Sequence, residues 1–506
     1  MHIEINRVSK TPLYLQVKNQ IKNMIISGAL PADFNLPSER TLSADLKLNR
    51  STIVKAYSDL KAEGFVESYV GKGTVILAQL SKDKSAEKTY IPPLRWNQLE
   101  SRLFKRNNEQ TITNMLSIFE KDKIISFASG IPSEDSYPME KFGELQVDML
   151  KKYKEKLFMP VGVEGSSELK TAIKGLLNAK DIIVTLKQLI ITTGSQQGID
   201  FWGKLFIEPG DIVIVEEPTF TGAIQTFEAY GARIIGIPID ETGMDLNILE
   251  TCLLKYRPKF IYCQPTFHNP TGITMSLQKR KELLKLAYYY QIPILEDDPY
   301  SEIRFEGEHL PTLKALDTHD YVVYLSSFSK TLSFSLRVGF IAGNESVLNR
   351  ITGFKQLSDI QTNTQAQYFV SEFINSGYYK THLDFIKNKY KKKCDLMVAL
   401  LSQSKIQGLK LQVPQGGYFL WCKLPDTLRL SELIENASSY GILIMPGDVF
   451  YPNGVIGESY IRLNFSYPSE KDITEGVKRL IKAIKKCSNI SRSSKASLYT
   501  TINPFL

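Results

Sequence analysis

The 506-residue sequence predicts a multidomain chain. An N-terminal winged helix-turn-helix is followed by a larger α/β domain with a mostly parallel sheet. Two observations lead there. Near the N-terminus, three helical patterns precede two short strand-like runs around a glycine-rich turn. Further along, short apolar runs at 212–216, 259–263, 293–296 and 322–325 alternate with helical patterns such as 276–290. That alternation is how strands of a parallel sheet and their covering helices read.

The N-terminal elements follow in order. Residues 11–27 carry apolar side chains at helical spacing. Pro12 suits the first helical position and Gly28 the end. Residues 36–46 read as a helix capped by Ser38. Residues 48–64 read as a third helix ended by Gly64, with Ile53, Val54, Tyr57 and Leu60 toward the core. Its front edge holds Arg50, Ser51, Thr52 and Lys55. Residues 65–68 and 74–77 are expected strands around Tyr69-Val70-Gly71-Lys72-Gly73. The third helix of such a unit turns its first side chains to base edges and others to phosphates.

Beyond residue 78 the composition changes. Residues 79–88 are polar and charged without periodicity, and 91–120 contain Pro92-Pro93. A tether over 79–122 is expected. The α/β domain then spans 123–486. Residues 487–506, rich in Ser, are expected to be a mobile tail.

Chemistry concentrates at the strand ends, where open α/β sheets bind ligands. Lys330 lies among hydroxyl residues in Ser326-Ser327-Phe328-Ser329-Lys330, with Arg337 seven positions later. A lysine amine condenses with an aldehyde to a Schiff base, while hydroxyls and a guanidinium fork hold a phosphate. The aldehyde cofactor with a phosphate is pyridoxal 5'-phosphate (PLP). Its ring nitrogen needs a carboxylate partner, which Asp297 in Glu296-Asp297-Asp298-Pro299-Tyr300 supplies. Tyr300, three residues on, and Asn269, before Pro270-Thr271-Gly272, can reach the phenolic oxygen. Thr193-Gly194-Ser195-Gln196 turns a strand into a helix whose first N–H groups suit a phosphate. Arg462 sits inside an apolar strand, and a buried arginine needs an anion; a substrate carboxylate serves. His268 reads as a packing or hydrogen-bonding residue and is given no role. No metal site is expected.

The ordered motifs GSQQ, EEPTF, NPTG, EDDPY, SFSK, LRVG and IRLNF resemble the fold-type I PLP enzymes of the class I/II aminotransferase group, over residues 123–486. The resemblance implies that Lys330 carries the cofactor and Asp297 faces the pyridine nitrogen. Asn269 and Tyr300 bind the phenolic oxygen. Ser195, Gln196, Ser327 and Arg337 contact the phosphate, and Arg462 a carboxylate. Phe220 falls where an aromatic, usually a tyrosine, stacks on the ring. Two departures stand out. Val161 occupies the position of a tyrosine that reaches the neighbouring subunit's cofactor phosphate, and Lys170 that of an arginine. The missing tyrosine hydroxyl points away from efficient turnover.

LPSER, NRSTIVKAYSDLKAEG and GKGT resemble the GntR-type winged-helix domain over residues 10–78. That resemblance implies that Arg40, Arg50, Ser51, Thr52, Lys72 and Gly73 face DNA. The two parts on one chain resemble the MocR-type subgroup of bacterial regulators, whose effector domain binds PLP, often with an amine or amino acid.

Composition agrees. A formal net charge of +8 permits nucleic-acid contact. Five scattered cysteines without CxxC spacing speak against a disulfide framework or zinc site. With no apolar signal core and no bilayer-length apolar run, a cytoplasmic protein is expected. The reading is a PLP-responsive, DNA-binding homodimer that takes double-stranded operator DNA and an amino acid or amine effector. The alternatives are an aminotransferase with an accessory DNA-binding domain, and an enzyme whose N-terminal domain only dimerises it.

Overall fold

The computed structural model describes residues 1–9, 11–69, 73–77, 94, 99 and 124–499. The chain divides into two units, Met1–Lys105 and Arg106–Leu506. Apart from Leu94 and Leu99, the expected tether lies outside the described residues, as does Lys72.

In the first unit, helix α1 spans Leu13–Ile26, α2 Glu39–Asp45 and α3 Arg50–Ala62. Strands β1 (Asn35–Leu36), β2 (Val66–Tyr69) and β3 (Gly73–Ile76) form an antiparallel sheet in the order β1-β3-β2. Capping fixes the helix starts. Ser38 Oγ accepts the Thr41 N–H at 3.1 Å, and Asn49 Oδ1 the Ser51 N–H at 3.4 Å. Pro12 is the residue before α1 rather than its first. Its carbonyl accepts the N–H of Leu15 and Gln16, so the helix begins one position later than expected. Val17, Ile21, Ile25, Leu42, Ile53, Ala56, Tyr57 and Leu60 close the core. Val54 differs from expectation: it is 40% exposed, one position off the buried stripe of Ile53, Ala56, Tyr57 and Leu60.

The second unit opens with β4 (Ile125–Ser126) and builds one large sheet. Its strands are β5 (Leu189–Thr192), β6 (Ile212–Glu217), β7 (Arg233–Asp240), β8 (Gly243–Met244), β9 (Ile261–Cys263), β10 (Ile294–Asp297), β11 (Val322–Ser327) and β12 (Gly339–Ala342). The order is β5-β12-β11-β10-β9-β6-β7-β8. Pairs from β11 through β7 are parallel; β12 runs antiparallel to both neighbours, and β8 to β7. The central strands run apolar until their last one or two residues because both faces are covered. A smaller antiparallel sheet holds β13 (Lys410–Gln412), β14 (Phe419–Lys423), β16 (Met445–Pro446) and β17 (Tyr460–Asn464) in the order β13-β14-β17-β16. Strand β15 (Ile442–Leu443) pairs with β4.

The last helix, Glu470–Tyr499, begins inside the expected α/β domain and runs past its boundary at 486. Ile473, Val477, Leu480, Ile484 and Cys487 are fully buried at helical spacing. The helical backbone carries on through the Ser-rich stretch to Tyr499, while 500–506 lie outside the described residues.

Arg280 fastens the turn that carries Asn269. It is fully buried and donates to the carbonyls of Met275 (3.0 Å), Pro311 (3.1 Å) and Pro265 (2.9 Å) and to Thr266 Oγ1 (2.9 Å). Replacing it by methionine orphans those acceptors and removes the positive charge that faces Glu296. Arg280→Met is expected to destabilise the second unit by about 3 kcal/mol. A melting midpoint equal to wild type would remove this role.

Candidate functional site

Asp297 ends a strand, Ser195 and Gln196 start a helix, Arg462 lies inside a strand, and Asn269, Tyr300, Lys330 and Arg337 lie in the connecting turns. Asp297 is the last residue of β10 and is buried. Its Oδ2 accepts from the Tyr262 hydroxyl at 2.8 Å and from Gln264 Nε2 at 2.7 Å. Its Oδ1 is buried with no hydrogen-bond partner. Burial pushes this carboxyl up to about 6, against the opposing donations of Gln264 and Tyr262. A buried carboxylate oxygen without a partner is costly unless something cationic meets it.

Lys330 follows β11, and its Nζ lies 5.8 Å from the ring centre of Tyr300 and 5.9 Å from that of Phe334. The Nζ donates to the Gly130 carbonyl, and the Lys330 carbonyl accepts from the Tyr418 hydroxyl. Burial, then the positive charges of Arg462 and Arg337, lower its amine to about 7. A neutral, nucleophilic amine is therefore well populated at neutral pH. Tyr300 is buried, its ring tilted against Tyr418 and edge-on to Phe419.

Arg462, in β17, is buried under two rings, 4.0 Å from the centre of Phe419 and 5.0 Å from that of Phe450. Its Nη1 donates to Asn269 Oδ1 at 2.9 Å and its Nη2 to the Ala128 carbonyl at 2.7 Å, while Nε has no partner. Burial lowers its pKa to about 10. Because Asn269 Oδ1 faces Arg462, the amide's N–H groups are left to donate elsewhere.

The opposite side is a cup for an anion. Gly194, at φ +89°, precedes the helix Ser195–Phe206. A Cβ there would come within 2.4 Å of Arg337 Nη2, so glycine is required by both conformation and space. Arg337 donates through Nη2 to the Thr193 carbonyl (2.9 Å) and through Nη1 to Ser329 Oγ (3.2 Å). Ser327 Oγ accepts the Ser329 N–H at 3.1 Å and donates to Ser329 Oγ at 2.8 Å. The free N–H groups of Ser195 and Gln196 open the helix beside this guanidinium. The Gln196 side chain is engaged with Thr226 Oγ1 at 2.8 Å, which leaves its backbone N–H for a ligand. Phe220 adjoins Gln196: a Cβ on Gly222 would meet the Phe220 ring at 2.6 Å and Gln196 Oε1 at 2.4 Å.

Two departures from the resemblance have local explanations. Lys170 is buried and paired with Glu164 at 2.8 Å. Val161 packs on the core, its N–H donating to Gln361 Oε1 at 2.6 Å, and offers no hydroxyl. His268 is buried, 2.9 Å from Thr271 Oγ1, and burial lowers it to about 3, so it stays neutral. Sequence reading missed Ser329, Tyr262 and Gln264. Ser329 sits two residues after Ser327 in the same motif; the other two carry no motif of their own.

In the first unit, Arg40, Arg50 and Ser51 are exposed and Thr52 is half-buried. Arg50, with its side chain 66% exposed, reaches Glu39 at 3.3 Å. Gly73 is exposed at φ +83° at the start of β3. No helix among the described residues is long and apolar enough to cross a membrane.

Comparison with known proteins agrees with both halves. Residues 122–480 match the family Aminotransferase class I and II, and residues 13–76 the bacterial regulatory proteins of the gntR family. An uncharacterized HTH-type transcriptional regulator of Bacillus subtilis, YisV, is 29% identical over 94% of this chain and 96% of its own length. The probable rhizopine catabolism regulatory protein MocR of Rhizobium meliloti is 28% identical over 87% of this chain and 88% of its own. Among solved structures, kynurenine aminotransferase of Pyrococcus horikoshii superposes with a TM-score of 0.74 at 34% identity. That match covers 78% of this chain and 98% of the enzyme. The cofactor of this fold is PLP. The chain belongs to the class I and II aminotransferase family, in the MocR-type branch that joins such a domain to a gntR-type DNA-binding domain.

Proposed function

We propose that this protein is a transcription regulator that holds PLP on Lys330 and changes its DNA binding in response to an amino acid or amine. The observation that carries the cofactor assignment is Asp297 Oδ1, buried without a partner in the same pocket as an amine lowered to about 7. A protonated pyridine nitrogen satisfies that oxygen. Bound PLP supplies an amine-reactive aldehyde and an electron-withdrawing ring.

The chain's residues divide the remaining work. Ser195, Gln196, Ser327 and Arg337 would hold the phosphate, with Ser329 added by its contact to Arg337. Asn269 and Tyr300 would donate to the phenolic oxygen, and Phe220 would stack on the ring. Arg462, in its aromatic sleeve, would take the effector's carboxylate. Arg40, Arg50, Ser51, Thr52, Lys72 and Gly73 would face operator DNA. The exposed Phe158, Met159, Leu357 and Ile360 support a homodimer, since large apolar side chains left open to water mark contact surfaces. The absence of a hydroxyl at Val161 supports regulation over turnover.

Arg50→Ala is expected to weaken operator binding while PLP still binds. Loss of a base-edge contact costs about 1–3 kcal/mol, and loss of a phosphate contact lowers the salt slope by about one. Unchanged affinity at matched salt would remove Arg50 from the interface.

Arg462→Ala is expected to abolish the amino-acid response of promoter occupancy while PLP still gives its visible band. In wild type the coupling should be on the order of 1–3 kcal/mol. Footprinting with PLP alone and then with candidate amino acids decides this. If PLP alone shifts occupancy and Arg462→Ala behaves as wild type, PLP itself is the signal.

A further inference from the structure

Gln264 lies outside every expectation from the sequence. It is buried between β9 and the turn that carries Asn269. Its backbone N–H donates to Glu216 Oε2 at 2.7 Å. Its side-chain Oε1 accepts the Asn269 backbone N–H at 3.0 Å, and its Nε2 donates to Asp297 Oδ2 at 2.7 Å. A backbone N–H can only donate and a carboxylate can only accept, so one amide orientation satisfies both. The Tyr262 hydroxyl also donates to Oδ2, at 2.8 Å. Two donors therefore converge on one oxygen of Asp297, and the other is left free.

We infer that Gln264 is a positioning residue: it locks Asp297 with Oδ1 free and ties that carboxylate to the Asn269 turn. The groups for the two ends of the cofactor ring, nitrogen and phenolic oxygen, are thereby held at a fixed separation. Arg462, bonded to Asn269 Oδ1, extends the same chain of hydrogen bonds toward the carboxylate site. This inference rests on the assignment of PLP to Lys330.

The charge of Asp297 is the readout. It faces Tyr262 and Cys263 on β9, Asp298 beside it, Tyr300 beyond, and Lys330 after β11. Burial raises its pKa, and the Gln264 donation opposes that rise. Without the donation the carboxylate is charged only at higher pH. The pH at which the visible absorption of bound PLP changes should then move upward.

Two variants of the full chain test this. Gln264→Met keeps the length and removes the side-chain contacts to the Asn269 N–H, Asp297 Oδ2 and the Tyr262 hydroxyl. Gln264→Glu keeps the acceptor for Asn269 and exchanges the donor for an acid. Gln264→Met should weaken PLP about tenfold, the scale of one hydrogen bond to a charged group, and raise the pH midpoint. Gln264→Glu should raise the midpoint further through like-charge repulsion, and it carries the test if Gln264→Met does not fold. A wild-type midpoint in both variants, with PLP trapped on Lys330 by borohydride, overturns the inference even if affinity falls, because lost packing alone would lower affinity. Failure of wild type to trap PLP on Lys330 overturns the cofactor assignment and this inference together.

Discussion

The buried carboxylate of Asp297 is the constraint around which the second unit is organised. It ends β10, between β9 and β11, so both neighbouring parallel strands deliver residues to it. β9 brings Tyr262 and, just past its end, Gln264; β11 leads into the loop with Lys330. An isolated charge at this depth would be protonated instead. Two donors on Oδ2 keep the carboxylate available, and the second oxygen awaits a cation.

The same pocket balances its positive groups. Lys330 and Arg462 are both buried, and Arg462 helps lower the lysine amine toward neutrality. Arg462 itself stays charged, sheathed by Phe419 and Phe450 and anchored to Asn269 and the Ala128 carbonyl. One amine is thus held near neutrality while one guanidinium keeps its charge. The difference arises from chemistry: a guanidinium holds its proton far more tightly than an ammonium does.

Much of this was legible in the sequence because the chemistry-bearing residues sit in contiguous motifs at strand ends. Lys330 announces itself by its hydroxyl neighbours, Asn269 by the turn residues that follow it, and Asp297 and Arg462 by a charge in an apolar strand. The central strands read as apolar runs because both faces are buried. What could not be read acts across strands. Gln264 matters through Asp297 and the Asn269 N–H, and nothing in its own neighbourhood of sequence signals either. Ser329 is held by Ser327 within its own motif and by Arg337, folded back from eight positions on. Val54 looked apolar enough for the core, yet its direction on α3 depends on a register one residue off the buried stripe. The C-terminal helix runs past the expected domain boundary at 486, while its buried Val477, Leu480 and Ile484 lie inside the expected α/β domain and keep the helical period.

The most direct test is the protonation state of the ring nitrogen when the protein binds PLP labelled with nitrogen-15. With Asp297 charged above about pH 6, the nitrogen-15 shift should report a protonated nitrogen at about pH 8, and Asp297→Asn should report a neutral one, since an opposite charge at hydrogen-bond range favours the protonated form. A neutral ring nitrogen in the wild-type protein would contradict the account.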